Sequence, residues 1–225
     1  MRRVDLKNFK GKKVALVLSG GVVKAAAWHI GVGLALEELG FTLKSNASEP
    51  SQLEISTYVG SSAGSLINMY FASGYRPIDI ISAHLNPKNG IIKPVTYKDM
   101  LTFKRDVVNP PKGNNYDPFS EFPWLLTNLI DPLMKFNGLF TTTGLKNYLE
   151  KEVLISNDFN DYKADVFVVA TQLDHSRKVI FSKYKYPSPY HDKTASYYTG
   201  TPISESVAAS MSVPPFYSPS PVKNP

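Results

Sequence analysis

The sequence reads Leu53-Glu-Ile-Ser-Thr-Tyr-Val-Gly-Ser-Ser-Ala-Gly64 at the point that decides its fold. Residues 53–59 predict a β-strand, and the glycines and serines that follow predict a sharp turn. Residues 64–72 then predict a helix that stops near Gly74. This order of strand, tight turn and helix is typical of the units that build parallel α/β sheets.

A second unit of the same kind lies nearer the N-terminus. The continuous apolar run Val14-Ala-Leu-Val-Leu18 predicts a buried parallel strand, and Ser19-Gly20-Gly21 predicts the turn that closes it. Helix formers dominate from Lys24 to Leu39, with Gly40 where a C-terminal capping glycine would stand. Two such units predict an α/β fold with a mainly parallel central sheet flanked by helices, and with functional groups at the carboxyl ends of the strands.

The rest of the chain is expected to complete a single α/β domain over residues 1–225. Beyond Gly74 the sequence predicts a helix over 144–152, two strands over 166–170 and 178–181, and a further helix over 203–211. Residues 86–137 are rich in Pro, Asn and aromatic side chains, and are predicted to form an insertion or lid-like segment with one or two short helices. Its aromatic residues suit either plain core packing or an acyl-chain cover. We find no internal repeat and no linker.

Composition excludes several classes of function. The chain has 25 Lys and Arg against 19 Asp and Glu, a formal net charge of +6, and no cysteine. Disulfides, thiolate zinc sites and a cysteine nucleophile are therefore excluded. The basic N-terminal residues suit either a solvated arm or attraction to anionic lipid headgroups, whereas no nucleic-acid motif is seen. No signal peptide and no apolar run of ~20 residues is present, so a cytoplasmic or peripheral membrane location is expected.

A candidate nucleophile lies in the turn of the first unit described. Gly60-Ser-Ser-Ala-Gly64 fits the pattern Gly-x-Ser-x-Gly, in which the central serine sits on a sharp strand-to-helix turn with its hydroxyl exposed. We therefore interpret Ser62 as the catalytic residue, and Gly60 and Gly64 as the small residues that let the elbow close. Because Gly and Ser are also common turn residues, the motif by itself does not establish catalysis.

The other glycine turn could stabilise an oxyanion. An acyl-transfer serine requires N–H donors for its tetrahedral intermediate, each often worth ~3 kcal/mol. Glycine leaves the backbone N–H groups of Ser19-Gly20-Gly21 accessible, and the helix beginning near Lys24 adds its dipole. A nucleotide-phosphate loop and a plain tight turn are the alternatives. Neither G-x-G-x-x-G nor G-x-x-x-x-G-K-[S/T] occurs here, which argues against a nucleotide.

Three separated stretches carry a family likeness. They are Leu18-Ser-Gly-Gly-Val-Val-Lys24 with His29-Ile-Gly-Val32, Gly60-Ser-Ser-Ala-Gly64 with Phe71-Ala-Ser-Gly-Tyr75, and Ala208-Ala-Ser-Met-Ser-Val-Pro-Pro-Phe216. In this order they resemble three parts of the patatin-like phospholipase family: its oxyanion loop and following helix, its nucleophile elbow, and the Ala-Ser-x-x-x-Pro-x-x-Phe stretch upstream of its catalytic aspartate. The resemblance implies a three-layer α/β/α fold and a Ser-Asp dyad led by Ser62. It also implies an oxyanion hole formed by Gly20, Gly21 and Val22.

The sequence departs from the family pattern in two respects. Val22 stands where the family usually has a third glycine, and Ala25 where a glycine usually follows the basic residue. Because a β-branched side chain restricts φ and ψ, we expect an oxyanion loop that is differently shaped or less effective. The chain also reaches Pro225 before any Asp-Gly-Gly or Asp-Gly-Ala motif. The general-base aspartate is therefore expected beyond residue 225, in a domain that is incomplete at its C-terminus.

Other titratable residues lack the context of a general base. His29 is expected to pack or hydrogen-bond on the first helix, while the other histidines are expected in loops. Asp174 is expected to form a turn. The remaining residues considered and not promoted are His84, His175, His191, Asp165 and Asp192.

The resemblance implies a serine-dependent lipid acyl hydrolase of the phospholipase A type. It would cleave carboxylic esters of phospholipids or related acyl lipids through an acyl-enzyme on Ser62, with no metal and no organic cofactor. The implied partners are the lipid substrate and a peripheral membrane surface. Two alternatives stay open: a catalytically inactive patatin-like lipid-binding or interaction protein, and an α/β-hydrolase or acyltransferase whose histidine base lies outside this chain.

Overall fold

The computed structural model describes residues 6–103, 138, 140–173, 177–185, 195–214 and 216–222. The strands of this part are β1 (Val14–Leu18), β2 (Thr42–Leu43), β3 (Glu54–Ser61), β4 (Thr102–Phe103), β5 (Phe140–Thr141), β6 (Asp165–Gln172), β7 (Arg177–Phe181) and β8 (Ala195–Tyr198). The α-helices are α1 (Val22–Glu38), α2 (Ala63–Ala72), α3 (Pro77–Leu85), α4 (Tyr97–Met100), α5 (Thr143–Tyr148) and α6 (Ile203–Met211). A π-helical turn, Leu149–Val153, continues α5.

The described strands form one large sheet and one small one. In the large sheet the order is β1-β3-β6-β7-β8, and β2 pairs with the start of β3. β1, β2, β3 and β6 run parallel, β7 is antiparallel to β6, and β8 is parallel to β7. β4 and β5 form a separate antiparallel pair. Helices flank the mainly parallel sheet, which confirms the predicted α/β fold class.

One face of the sheet carries the core. Tyr58 of β3 pairs with Leu16 of β1 on one side and with Val166 of β6 on the other. All three side chains are buried, because α2 packs across β1, β3 and β6. α1 packs in turn on α2 and α3, while α6 packs on β6 and α5. The α2 helix, which begins directly after Ser62, is therefore buried along its whole length.

The two predicted helix ends have the same C-terminal capping geometry. After α1, Gly40 adopts φ 92° and donates its N–H to Glu37 O, while the Phe41 N–H reaches Leu36 O. Gly74 adopts φ 99° after α2, and the following N–H likewise bonds back into the helix. This is the Schellman motif, in which a left-handed glycine satisfies the last carbonyl groups. The helix stops expected at these glycines are confirmed.

The structure corrects one assignment and adds elements that were not predicted. His84, which we expected in a loop, lies in the last turn of α3, with its Nδ1 2.8 Å from Ile80 O. Pro77 at the first position of α3 was a usable signal, and so was Asp79, whose carboxylate accepts the Arg76 N–H. The strand β8 was also not predicted.

The predicted insertion lies mostly outside the described residues. Of residues 86–137, the part up to Phe103 contains α4 and β4, and residues 104–137 are not described. The lid-like role stays a prediction. Among the residues that are described, no helix combines the length and the apolar character needed to cross a membrane.

Candidate active site

Ser62 occupies the turn between β3 and α2 in a strained backbone conformation. Its φ is 51° and its ψ is −122°, a combination that side-chain-bearing residues rarely adopt. Such strain costs of order 1–3 kcal/mol and persists only where the surrounding structure enforces it. A serine before a helix usually turns its hydroxyl back onto the first N–H groups, but Ser62 makes no such capping bond. Among the described residues its Oγ has no hydrogen-bond partner, so it is available for chemistry.

The two elbow glycines are sterically required by this turn. A Cβ on Gly64 would lie 2.2 Å from Leu18 O, because α2 begins directly against the end of β1. A Cβ on Gly60 would lie 2.6 Å from the backbone N of Ser65. Both distances are far below van der Waals contact, so any side chain would push α2 away from the sheet. The glycines thus set how closely the helix N-terminus approaches Ser62.

The turn after β1 lies directly against Ser62. A Cβ on Gly20 would stand 3.1 Å from Ser62 Cβ and 3.7 Å from Ser62 Oγ. The pairing of β1 with β3 accounts for this approach, because Leu18 and Gly60 are partners at the carboxyl ends of the two strands. The structure therefore brings Gly20 and Ser62 together, although 42 positions separate them in the sequence.

The turn continues into an uncapped helix start. Gly21 precedes α1 with φ 144°, and no side chain caps this helix. Since the first N–H groups of a helix lack partners within it, those of α1 can bind an anion beside Ser62. Val22 adopts φ 55° despite its β-branched side chain, so this valine takes the left-handed conformation that glycine favours. A Cβ on Gly21 would meet Ala25 Cβ at 2.7 Å, so the bare glycine makes room for that methyl group.

His29 anchors the same turn from α1. Its side chain is buried, and its Nε2 lies 2.8 Å from Ser19 O. Because a carbonyl oxygen only accepts, Nε2 carries the proton and donates it. This bond holds the Ser19 peptide immediately before Gly20 and agrees with the expected hydrogen-bonding role of His29. The imidazole is thereby engaged with the turn.

The backbone of Ser62 is held on both sides. Its carbonyl oxygen accepts the Ser65 hydroxyl at 2.6 Å and the Ser65 N–H at 2.9 Å. Its N–H donates to Ser210 Oγ at 2.7 Å, and the Ser210 hydroxyl donates to Val169 O at 2.6 Å. Sequence reasoning placed Ser210 in a family-like stretch without assigning it a contact. No local signal indicates this bond, because Ser62 and Ser210 are 148 positions apart.

Asp165 is engaged far from Ser62. It lies at the start of β6, paired with Thr57, whereas Val169, four residues on, pairs with Ser61. Four residues of strand span roughly 13 Å. Asp165 accepts a hydrogen bond from Tyr184 at 2.6 Å and forms an ion pair with Lys183 at 3.1 Å. Burial alone would raise its pKa, but these two partners lower the pKa overall.

No general base is found at Ser62 within the described residues. Neither a carboxylate nor an imidazole of this part of the chain hydrogen-bonds to Ser62 Oγ, and no group of three or more His, Asp or Glu side chains forms a metal-binding cluster there. The residues of interest that lie outside the description are Asp174, His175, His191 and Asp192.

An apolar groove of about 560 Å³ borders the elbow. Gly60 and Ser61 form part of its wall, next to Ser62, and Ser19 and His29 form another part. Its apolar lining comes mainly from Val17, Trp28, Val32, Val59 and Val169. Trp28 is 72% exposed, so the groove opens to solvent along α1.

The fold and the elbow together define an α/β protein with a serine on a strand-turn-helix turn. A family model described as patatin-like phospholipase matches residues 16–225, nearly the whole chain. The chain belongs to this family, whose fold is a three-layer α/β/α arrangement and whose members are generally esterases and phospholipases acting on lipids. No curated protein matches the chain at a significant level.

Proposed function

We propose that this protein is a serine-dependent lipid acyl hydrolase of the phospholipase A type, with Ser62 as its nucleophile. The conformation of Ser62 carries the proposal. Its backbone is strained and fixed, its hydroxyl makes no capping bond to the helix it precedes, and Gly20 lies against it. A structural N-cap serine would gain nothing from this arrangement, whereas a nucleophile requires it.

The proposed reaction proceeds through an acyl-enzyme. Ser62 Oγ attacks the ester carbonyl carbon, and its proton passes to a general base. The carbonyl oxygen becomes an oxyanion, which the N–H groups of Gly20, Gly21 and Val22 stabilise together with the dipole of α1. The tetrahedral intermediate then collapses, and the alcohol leaves with the proton that the general base had taken. Water hydrolyses the acyl-enzyme and restores Ser62.

We assign the general base to an aspartate beyond residue 225, as the family resemblance implies. The described residues supply two arguments for a base from elsewhere. His29 is engaged with Ser19 O, and Asp165 lies at the opposite end of β6 in its own ion pair. Within the described residues neither group hydrogen-bonds to Ser62 Oγ, so neither is positioned to take its proton.

The apolar groove supports an acyl lipid as substrate. It borders Ser61 and is lined mostly by valines and Trp28, so it would accept a hydrocarbon chain better than a charged group. We propose phospholipids or related acyl lipids, met at a peripheral membrane surface, as the substrates.

Labelling with a serine-directed fluorophosphonate tests the proposal. In the protein expressed from its complete reading frame, intact mass should show one adduct that is lost in Ser62→Ala. Ser73→Ala, at the far end of α2, is the matched control and should label like the wild type. The chain of residues 1–225 alone should label much more slowly, because it lacks the proposed base.

Two outcomes would contradict this proposal. The absence of an adduct in the complete, folded protein would favour an inactive lipid-binding protein. Equal labelling of residues 1–225 and of the complete protein would show that the base lies within residues 1–225 and would overturn its assignment to a later aspartate.

A further inference from the structure

Ser210 connects the nucleophile elbow to the neighbouring strand through a single hydroxyl group. Its Oγ accepts the Ser62 N–H at 2.7 Å and donates its proton to Val169 O at 2.6 Å. Three elements thus meet at one atom: the start of α2, the second half of β6 and the last turn of α6. A hydroxyl can both accept and donate a hydrogen bond in this small volume. Alanine would leave both backbone groups without this partner.

This contact holds Ser62, whose backbone conformation is strained. The φ of 51° at Ser62 is unfavourable, so the turn would relax if its two peptide groups were free. The Ser62 carbonyl is already held by Ser65, which belongs to the same turn. Among the described residues, the N–H side is held from α6 alone, across 148 positions of sequence. Ser210 therefore fixes the side of the elbow that local structure does not fix.

The contact also removes one donor from the reaction. Because the Ser62 N–H is committed to Ser210, it cannot turn towards an oxyanion.

We propose that Ser210 is a positioning residue that orients the Ser62 hydroxyl for attack, an inference that rests on the proposed function. It does not touch substrate in this role. Its hydroxyl holds the strained peptide so that Ser62 Oγ keeps one direction relative to Gly20.

Other serines of α6 provide a matched control. The Ser206 hydroxyl donates to Pro202 O at 3.0 Å, within the first turn of the same helix, and the side chain is fully buried. Ser206→Ala removes one hydroxyl from α6 without touching the elbow. A purely structural role for Ser210 would make the two alanine variants behave alike.

The test measures turnover of a soluble p-nitrophenyl ester and the rate of fluorophosphonate labelling in the complete protein. Ser210→Ala should lower kcat and the labelling rate roughly tenfold to a hundredfold with little change in KM. Ser210→Thr keeps the hydroxyl and should restore most of both rates. Ser206→Ala should retain them, even where its thermal stability falls as far as that of Ser210→Ala.

Hydrogen exchange at the Ser62 amide separates this inference from the proposed function. Ser210→Ala should accelerate that exchange at least tenfold relative to Ser206→Ala, whether or not the protein turns over an ester. A wild-type protein that neither hydrolyses esters nor labels would overturn the proposed function, and exchange would then decide the Ser210 contact. Unchanged exchange, or equal rate losses in both alanine variants, would overturn the positioning role.

Discussion

Val22 shows how a single residue can keep a backbone conformation that its side chain disfavours. A β-branched residue at φ 55° crowds its own backbone, and this costs about 1–3 kcal/mol. The surrounding turn enforces the conformation, because Gly20 must lie against Ser62 while α1 begins at Val22. Val22 therefore holds the strain of this turn, and the expected difference in the shape of the oxyanion loop stays a prediction.

Replacing Val22 by glycine should relieve this strain. Val22→Gly is expected to raise the free energy of unfolding by about 1 kcal/mol, because the relief exceeds the added backbone entropy of glycine. Val23→Gly is the control: it is similarly exposed, its φ is not positive, and it should cost about 1 kcal/mol. Urea denaturation measures both. Equal destabilisation by the two substitutions would show that Val22 is not strained.

At the scale of elements, two glycines of α1 have opposite surroundings. A Cβ on Gly33 would lie 2.7 Å from Phe71 Cζ and 3.0 Å from Pro77 Cγ, whereas one on Gly31 would meet nothing within 4 Å. Gly33 therefore lets α1 pack closely on α2 and on the start of α3. Since α2 carries Ser62 at its N-terminus, this close packing helps to support the elbow.

The pair provides a test of the α1–α2 interface. Gly33→Ala should lower the free energy of unfolding by about 2 kcal/mol, because Phe71 is 1% exposed and has no room to move. Gly31→Ala should raise it by up to about 1 kcal/mol through helix propensity alone. Guanidinium denaturation of both variants checks the sign of each change. Stabilisation by Gly33→Ala would mean that the two helices are not in close contact there.

At the scale of the whole molecule, Asp165 ties the sheet to the segment that follows β7. Its carboxylate bonds to Tyr184 and Lys183, and the Lys183 ammonium also donates to Tyr162 O and Ala164 O. Because the pKa of Asp165 is lowered in the folded protein, the unfolded chain binds its proton more readily. This stabilisation is present above the unfolded pKa of about 4 and is lost as pH falls through the lower folded value.

Removing the Asp165 carboxylate should lower the free energy of unfolding at neutral pH more than at acid pH. Asp165→Asn is expected to cost about 1 kcal/mol at pH 7, and its difference from the wild type should narrow below pH ~4. Glu49→Gln removes an exposed carboxylate and should stay within ~0.5 kcal/mol of the wild type. Urea unfolding at pH 7 and at pH 3 measures the gap. A gap that stays constant between the two pH values would contradict the assignment.

Much of this fold was predictable because its signals are local. The predicted bounds of the first strand and of the last helix agree with β1 and α6, and the capping glycines after α1 and α2 were correctly placed. Continuous apolar runs, helix formers and left-handed glycines act within a few residues of themselves. The tight turn around Ser62 was also predictable from local signals, namely its flanking glycines. The strand β8 gave no comparable signal: it is four residues long and, among the described strands, pairs with β7 alone.

Local sequence patterns were enough to predict the strand-turn-helix units, the need for glycine at their turns and the presence of a serine at the elbow. Tertiary structure alone decided which distant groups meet there. Gly20 reaches Ser62 because β1 pairs with β3, and Ser210 reaches it because α6 packs on β6. Local backbone conformation depends on neighbouring residues. A contact across 148 positions depends instead on which strands lie side by side in the sheet and on which strand a helix packs.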